Sequence, residues 1–179
     1  MLALIRRWCG LSVLCGLSAL PACTAKPPVG PTVESIAEEF YGTQFIRPIN
    51  GAPDSAQLER LRPFISDSLA KLLAAARQEH DADLARAPEE KPSWAEGDIF
   101  TSLFEGPSAF YVTPAIRDGG RAKVPVRFEH RVPGDTTVTG WTDTAIVVLE
   151  GGRPVVADVI FGGTWAFGQK GTLVQALQR

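Results

Sequence analysis

The sequence has few of the side chains that most often bind metals or act as nucleophiles. Its three cysteines, Cys9, Cys15 and Cys23, lie in the first 23 of 179 residues, and its two histidines are His80 and His130. The rest of the chain contains no thiol, which excludes disulfides, a thiolate nucleophile and a thiolate metal site there. We therefore predict that a hydrophobic core stabilises the folded part, and we expect no metal and no cofactor.

Short motifs of several enzyme classes are also lacking. The chain has no His-x-x-x-His, no Gly-x-Ser-x-Gly, no phosphate-binding loop and no calcium-binding loop. A zinc site would have to combine the two histidines with carboxylates from distant segments. No internal repeat is found. The sequence identifies no catalytic residue.

Positive charge is in slight deficit. The sequence has 18 Lys and Arg against 20 Asp and Glu, a net charge of -2. Without residues 1–22, which contain two arginines and no acid, 16 basic residues remain against 20 acidic ones, a net charge of -4. A mildly acidic domain has no electrostatic attraction to nucleic acid or anionic lipid head groups, and we expect it to bind no nucleic acid.

The first 23 residues have the order of an export signal. Arg6 and Arg7 are the only charges, a mostly apolar stretch runs from Cys9 to Leu20, and Leu20-Pro21-Ala22 leads into Cys23. This stretch is shorter than the roughly 20 apolar residues of a membrane span. The alternatives are a buried core helix and an uncleaved anchor. The Leu-Pro-Ala-Cys sequence resembles the lipobox of bacterial lipoprotein signals.

That resemblance implies that Cys23 receives a diacylglyceryl group, that the chain is cut before it, and that the new amino terminus is acylated. It predicts a signal peptide at 1–22, a lipidated tether at 23–31 and a single domain at 32–179. Thr24 is not the Asp that retains lipoproteins at the inner membrane of enteric bacteria. We therefore expect an outer-membrane lipoprotein that faces the periplasm and contacts the membrane through its acyl chains.

Helical periodicity dominates the first half of the domain. Thr32 can cap a helix with the apolar stripe Val33, Ile36, Ala37, Phe40 and Tyr41. A second helical region extends from Leu58 to a partly exposed His80 and is broken near Pro63.

From Ala109 the apolar pattern has a period of two, which predicts strands at 109–116, 121–132, 138–149 and 155–161. Residues 145–149 are apolar on both faces and should lie centrally. Pro125 cannot donate to a strand ladder, which predicts an edge strand or a bulge there. Residues 173–177 suggest a short closing helix or strand. The predicted fold is α+β, with N-terminal helices packed on one face of a curved antiparallel sheet of about four strands.

Residues 94–106, between these halves, have no regular period, and we predict a packed, irregular crossing there. Within them, residues 97–106 read Gly-Asp-Ile-Phe-Thr-Ser-Leu-Phe-Glu-Gly. This segment, followed by a meander with Asp158 in its last strand, resembles a family of exported bacterial proteins, domain of unknown function 3828, over residues 33–177. The helix-helix-sheet order resembles the cystatin-like, or nuclear transport factor 2-like, cone fold. The resemblance implies no particular activity, since that family has none assigned.

Five side chains are candidates for a pocket, because each is polar or aromatic among apolar neighbours: His130, Asp143, Asp158, Asp98 and Trp141. In cone-fold enzymes a buried Asp, or an Asp and His pair, transfers protons. The structural alternatives are a core histidine bonded to backbone or Asp for His130, a hydrogen-bonding role for Asp158 on the face of Val156 and Ile160, and a turn or cap for Asp98. Two further aromatic residues are predicted as an exposed pair, Trp165 and Phe167.

Two functions remain open at this stage. The first is a non-catalytic, lipid-anchored periplasmic domain that binds a partner protein, an envelope ligand or an incoming toxin. The second is a small hydrolase, isomerase or dehydratase that uses an Asp with His130. The absence of a catalytic motif favours the first.

Overall fold

The computed structural model describes residues 30–179. The predicted signal peptide (1–22), Cys23 and the tether as far as residue 29 lie outside the described residues. In chain order the elements are α1 (Val33–Ile46), α2 (Ser55–Leu61), α3 (Asp67–Arg86), β1 (Ala109–Val112), β2 (Ile116–Asp118), β3 (Arg121–Arg131), β4 (Val138–Glu150), β5 (Arg153–Ile160) and α4 (Leu173–Leu177). In this part of the chain, no helix has the length and apolarity that crossing a bilayer requires.

Helix α1 begins where the sequence predicts. The Thr32 hydroxyl accepts a hydrogen bond from the Ser35 amide at 3.1 Å, and the Ser35 hydroxyl accepts one from the Thr32 amide at 2.9 Å. The predicted apolar stripe is buried. This helix crosses the sheet and contacts β1, β3, β4 and β5. The stripe therefore covers one face of the sheet and forms the core with it.

The predicted break near Pro63 is confirmed, because α2 ends at Leu61 and α3 begins at Asp67. The connecting residues run beside β5. The Val156 amide donates to the Phe64 carbonyl at 2.8 Å, and the Ser66 amide donates to the Val156 carbonyl at 2.9 Å. This short bridge satisfies part of the outer edge of β5, which would otherwise be open to another strand.

The sheet is open and antiparallel, in the order β1-β3-β4-β5, with β2 also paired to β3. Together with the helices it confirms the predicted α+β fold. The predicted strand 109–116 is interrupted, since residues 113–115 separate β1 from β2. Strand β4 lies between β3 and β5, as its doubly apolar end predicts, and residues 173–177 form a helix.

The expectation that Pro125 marks an edge strand or a bulge is wrong. Strand β3 is internal, with β1 and β2 on one side and β4 on the other, and its register with β4 is unbroken. Pro125 lies opposite the gap between β1 and β2, where its carbonyl accepts from the Thr113 amide at 3.0 Å. The missing proline N–H therefore falls where the neighbouring strand is interrupted, so no ladder donor is lost.

The placement of Asp158 on the face of Val156 is also wrong. In the register with β4, Val156 pairs with Val147 and Asp158 pairs with Ile146, so Ala157 is an extra residue in β5. A bulge of this kind reverses the alternation of side chains beyond it. Val156 consequently lies on the core face, and Asp158 lies on the opposite face.

Candidate functional site

A cavity of about 480 Å³ lies beside the C-terminal half of α1. We call it the α1 cavity. Its walls are residues 41–50, residues 98–108 and one side chain each from β1 and β3. This volume is within the range of small-molecule sites. Six aromatic side chains line it: Tyr41, Phe45, Phe100, Phe104, Phe110 and Phe128.

Two polar groups in the lining lack hydrogen-bond partners among the described residues. They are the Tyr41 hydroxyl and the Gln44 side-chain amide, whose oxygen and nitrogen are both buried. Tyr41 is 2% exposed, and its ring packs edge-on against Phe128 with centroids 5.0 Å apart. Burial, helped by the carboxylates of Asp143 and Asp98, raises the pKa of Tyr41 well above its usual value, so the hydroxyl stays protonated. Unpartnered buried polar groups are rare in folded proteins, since each costs free energy.

Asp98 contributes a carboxyl group to the same cavity. One oxygen accepts from the Phe100 amide at 2.7 Å and the other from the Thr101 hydroxyl at 3.1 Å. These bonds hold the turn that was predicted as the structural alternative for this residue. Burial raises the pKa of Asp98 from 3.8 to about 6, against the opposing effect of these hydrogen bonds. Asp98 therefore combines a structural role with a titratable group that faces the cavity.

The predicted irregular crossing at 94–106 is confirmed, since these residues form no helix or strand. Gly97 in it has a steric reason. Gly97 has a φ of +89°, and a Cβ there would lie 2.2 Å from the Phe104 ring. Its amide donates to the Asn50 side-chain oxygen at 2.6 Å. Gln169 fixes the far side, because its side-chain nitrogen donates to the carbonyls of Asp98 at 2.7 Å and Thr101 at 2.6 Å. These contacts give the wall of the cavity a defined shape.

Asp143 and Trp141 lie together behind the cavity and do not line it. Asp143 is fully buried and accepts four hydrogen bonds. The donors to one oxygen are the Ser102 amide at 2.8 Å and the Trp141 indole at 3.0 Å, and those to the other are the Ser102 hydroxyl and the Gly162 amide at 2.8 Å. We call this group the Ser102–Asp143 network. It joins the crossing to β4 and to the loop after β5.

His130 borders the cavity through Gly106. Its Nδ1 lies 2.7 Å from the Gly106 carbonyl oxygen, which can only accept, so Nδ1 carries the proton. His130 is opposite Thr139 in the strand register, whereas Asp143 is four residues further along β4. Four strand residues span roughly 13 Å, so the two side chains do not form a hydrogen-bonded pair.

The remaining predicted residues lie away from the cavity. Asp158 accepts from the Val174 amide at 2.9 Å and so caps the start of α4. His80 is partly exposed, as predicted, with its Nδ1 3.0 Å from the Asp81 carboxylate. Phe167 is 79% exposed, whereas Trp165 is half-buried and packs against Trp141. Of the five candidate pocket residues, the structure thus places Asp98 in the cavity wall.

Sequence reasoning missed Tyr41 and Gln44 as site residues. Tyr41 was assigned to the core because it falls on the apolar stripe of α1. Gln44 follows it by three residues and therefore lies on the same helix face. Two polar side chains that continue the buried stripe of a helix could have indicated a polar site in the core.

A second hollow, of about 520 Å³, lies between α3 and the C-terminal residues. Several of its polar lining groups have partners within the protein. The Trp94 indole donates to Glu79 at 2.8 Å, and the Lys170 ammonium donates to the carbonyls of Gly163 at 2.6 Å and Trp165 at 2.8 Å. In residues 30–179, no group of three or more His, Cys, Asp or Glu side chains could hold a metal ion.

Comparison with known proteins relates the chain to a lipoprotein. It is 29% identical over 174 residues to the uncharacterized lipoprotein YbjP of Escherichia coli (strain K12), an alignment that covers 89% of this chain and 90% of the relative. Neither a protein-family model nor a solved structure matches the chain. The resemblances to domain of unknown function 3828 and to the cystatin-like cone therefore stay predictions.

Proposed function

We propose that this chain is a lipid-anchored envelope protein whose single domain binds a small ligand, without chemical conversion, in the α1 cavity. The observation that carries the proposal is the buried Tyr41 hydroxyl beside the buried Gln44 amide, both without partners in residues 30–179. A ligand that hydrogen-bonds to these groups would remove the free-energy cost of leaving them unsatisfied.

The lipid anchor is supported by the Leu20-Pro21-Ala22-Cys23 sequence and by similarity to a relative named as a lipoprotein. The proposal places diacylglycerol on Cys23, the signal peptide at 1–22, the tether at 23–31 and the domain at 32–179. The proposed location is the periplasmic face of the outer membrane. Intact mass should show a chain that begins at an acylated Cys23, and Cys23→Ser should leave the membrane fraction. A parent chain still beginning at Met1 would contradict the anchor.

A blocking variant tests the binding site. Pro48 lines the cavity and is exposed. Proline donates no backbone hydrogen bond, so Pro48→Trp breaks none at this residue, and the indole ring should fill the cavity entrance. We expect the parent to enhance the fluorescence of the neutral probe N-phenyl-1-naphthylamine and Pro48→Trp to lose most of that enhancement. The matched control is Pro133→Trp, an exposed proline outside the cavity lining. Equal enhancement by all three proteins would contradict binding in the α1 cavity.

One observation favours a second candidate, the acid–base enzyme. Asp98 faces the cavity with its pKa raised to about 6, within the range of a general acid or base. The comparison to make is between the parent and Asp98→Asn, each incubated with an envelope metabolite extract and read by mass spectrometry. Turnover of a compound by the parent and not by Asp98→Asn would favour the enzyme. Binding without turnover favours the proposed function.

A further inference from the structure

The charged groups that line the α1 cavity are all negative among the described residues. They are the carboxyl groups of Asp98 and Glu105, and no Lys, Arg or His lies in the lining. His130 borders the cavity, but its proton on Nδ1 is already donated to the Gly106 carbonyl. An anionic ligand would lose its hydration here and meet two carboxyl groups, which disfavours carboxylates and phosphates.

The aromatic walls favour the opposite charge. Tyr41, Phe110 and Phe45 form a chain of packed rings, with Tyr41 and Phe110 centroids 6.1 Å apart and Phe45 and Phe110 centroids 5.8 Å apart. The faces of such rings carry negative electrostatic potential and attract ammonium groups. Phe45 and Phe104 are each about half exposed, at 46% and 51%, so apolar surface extends from the cavity to solvent.

Asp98 has no ion-pair partner within the described residues. None of the salt bridges there includes it, and its two hydrogen-bond donors, the Phe100 amide and the Thr101 hydroxyl, are neutral. The raised pKa of Asp98 is consistent with a half-buried carboxylate that lacks a cation. A carboxylate retains further lone pairs when it accepts two bonds, so Asp98 can still accept from a ligand.

We infer that the α1 cavity takes an organic cation, a protonated amine carried on an apolar body. This inference rests on the proposed binding function and adds the chemical class of the ligand. The ammonium group lies at Asp98, with the Gln44 side-chain oxygen and the Tyr41 hydroxyl as further acceptors. The apolar body packs against the rings that lead toward solvent. The cavity volume of about 480 Å³ accommodates a small aryl-alkyl amine.

A charge series on one apolar body tests the inference. The probes are 4-phenylbutylamine, 4-phenyl-1-butanol and 4-phenylbutyrate, which are cationic, neutral and anionic at pH 7.5. Each is titrated by calorimetry into the full acylated protein in phosphatidylcholine nanodiscs, with empty nanodiscs subtracted. We expect the amine to bind about tenfold more tightly than the alcohol, and the carboxylate to bind most weakly.

Asp98→Asn should reduce the affinity for the amine about tenfold, to near that of the alcohol for the parent. Its matched control is Asp135→Asn, an exposed turn residue outside the cavity lining, which should behave as the parent. The series on the parent decides the question even if Asp98→Asn fails to fold. Equal affinity for alcohol and amine, or tightest binding of the carboxylate, overturns the cation and leaves the binding function standing. If none of the three probes binds the parent, both proposals are overturned.

Discussion

Two neighbouring regions of the molecule differ in whether their buried polar groups have hydrogen-bond partners. In the Ser102–Asp143 network, the buried carboxylate accepts four hydrogen bonds, and the Ser102 hydroxyl also accepts from the Gly163 amide at 2.9 Å. In the α1 cavity, the Tyr41 hydroxyl and both polar atoms of Gln44 have no partner within residues 30–179. Both regions contact Phe128, which stacks on Trp141 and packs edge-on against Tyr41.

This difference distinguishes residues that stabilise the fold from residues that are candidates for ligand binding. A buried polar group whose bonds are all made inside the protein holds the fold together, and a ligand could reach it only by breaking those bonds. A buried polar group without a partner costs free energy, and a ligand that hydrogen-bonds to it would remove that cost. Among the described residues, Arg60 Nε and Trp165 Nε1 also lack partners but lie outside the cavity lining, whereas Tyr41 and Gln44 line it. We therefore propose that Asp143 stabilises the fold and that Tyr41 and Gln44 bind the ligand. Asp98 combines both features, since it accepts hydrogen bonds within the protein and also lines the cavity.

The largest expected effect on stability comes from the Ser102–Asp143 network, whose buried polar groups have hydrogen-bond partners. Asp143→Ala leaves three donors and the Trp141 indole without their acceptor, and it should lower the free energy of unfolding by about 3 to 5 kcal/mol. Urea denaturation measures this change. Asp135→Ala, which removes an exposed carboxylate, should unfold at almost the same urea concentration as the parent. If the two variants were equally stable, the network would not support the fold.

The effect of Asp98 on stability should depend on pH. Its pKa is raised in the folded chain to about 6 from an ordinary value of 3.8, so the folded chain binds this proton more tightly than the unfolded chain does. This group therefore contributes most stability below pH 3.8, and the contribution falls as the pH rises through 6. Asp98→Asn should remove the fall, which we expect to be roughly 2 to 3 kcal/mol because one pKa unit corresponds to about 1.4 kcal/mol.

Urea denaturation of parent and Asp98→Asn at several values between pH 4 and pH 7.5 isolates this contribution. The difference between the two proteins is the useful quantity, because Glu34, Asp81, Asp83 and Asp135 have lowered pKa values and act in the opposite sense in both. Asp98 also interacts electrostatically with the Tyr41 hydroxyl of α1 and the Asp143 carboxylate of β4, and both groups stay in both proteins. A difference that does not change with pH would contradict the raised pKa.

The smallest expected effect has the opposite sign. Tyr41→Phe removes a hydroxyl that has no partner within the described part of the chain, so it should leave the free energy of unfolding unchanged or raise it by up to about 1 kcal/mol. The same change should weaken binding of 4-phenylbutylamine. Tyr111→Phe is the matched control, since Tyr111 is 46% exposed and lies outside the cavity lining. A loss of stability in Tyr41→Phe would instead indicate that the Tyr41 hydroxyl stabilises the fold, as the groups of the Ser102–Asp143 network do.

The sequence predicted most of the fold because periodicity reports burial. The stripe of α1, the break near Pro63 and the alternation of β3 all express which side chains face the core. Pro125 and Asp158 were placed wrongly because their positions depend on pairing. A gap in a neighbouring strand accommodates Pro125, and a single extra residue, Ala157, turns Asp158 to the other face. Neither feature is local in the chain.

The candidate site was harder to predict than the fold. Asp98 was named because its carboxyl group is set among apolar and aromatic neighbours, and the structure brings it to the cavity wall. From the sequence, Tyr41 resembles any core aromatic residue. The structure shows that its hydroxyl has no hydrogen-bond partner among residues 30–179. Whether a buried polar atom is satisfied depends on residues far apart in the chain, as with Ser102 and Asp143, which are 41 positions apart. Composition and spacing do not contain that information.

The central claim is that unsatisfied polar atoms around Tyr41 mark a ligand site. The most direct measurement is the set of intermolecular nuclear Overhauser effects between 4-phenylbutylamine and the aromatic rings of the isotope-labelled protein. We predict cross-peaks from the ligand methylene protons to Tyr41, Phe100 and Phe110, all of which Pro48→Trp should abolish. Cross-peaks to the exposed Phe167 and half-buried Trp165 instead, unchanged in Pro48→Trp, would contradict the claim.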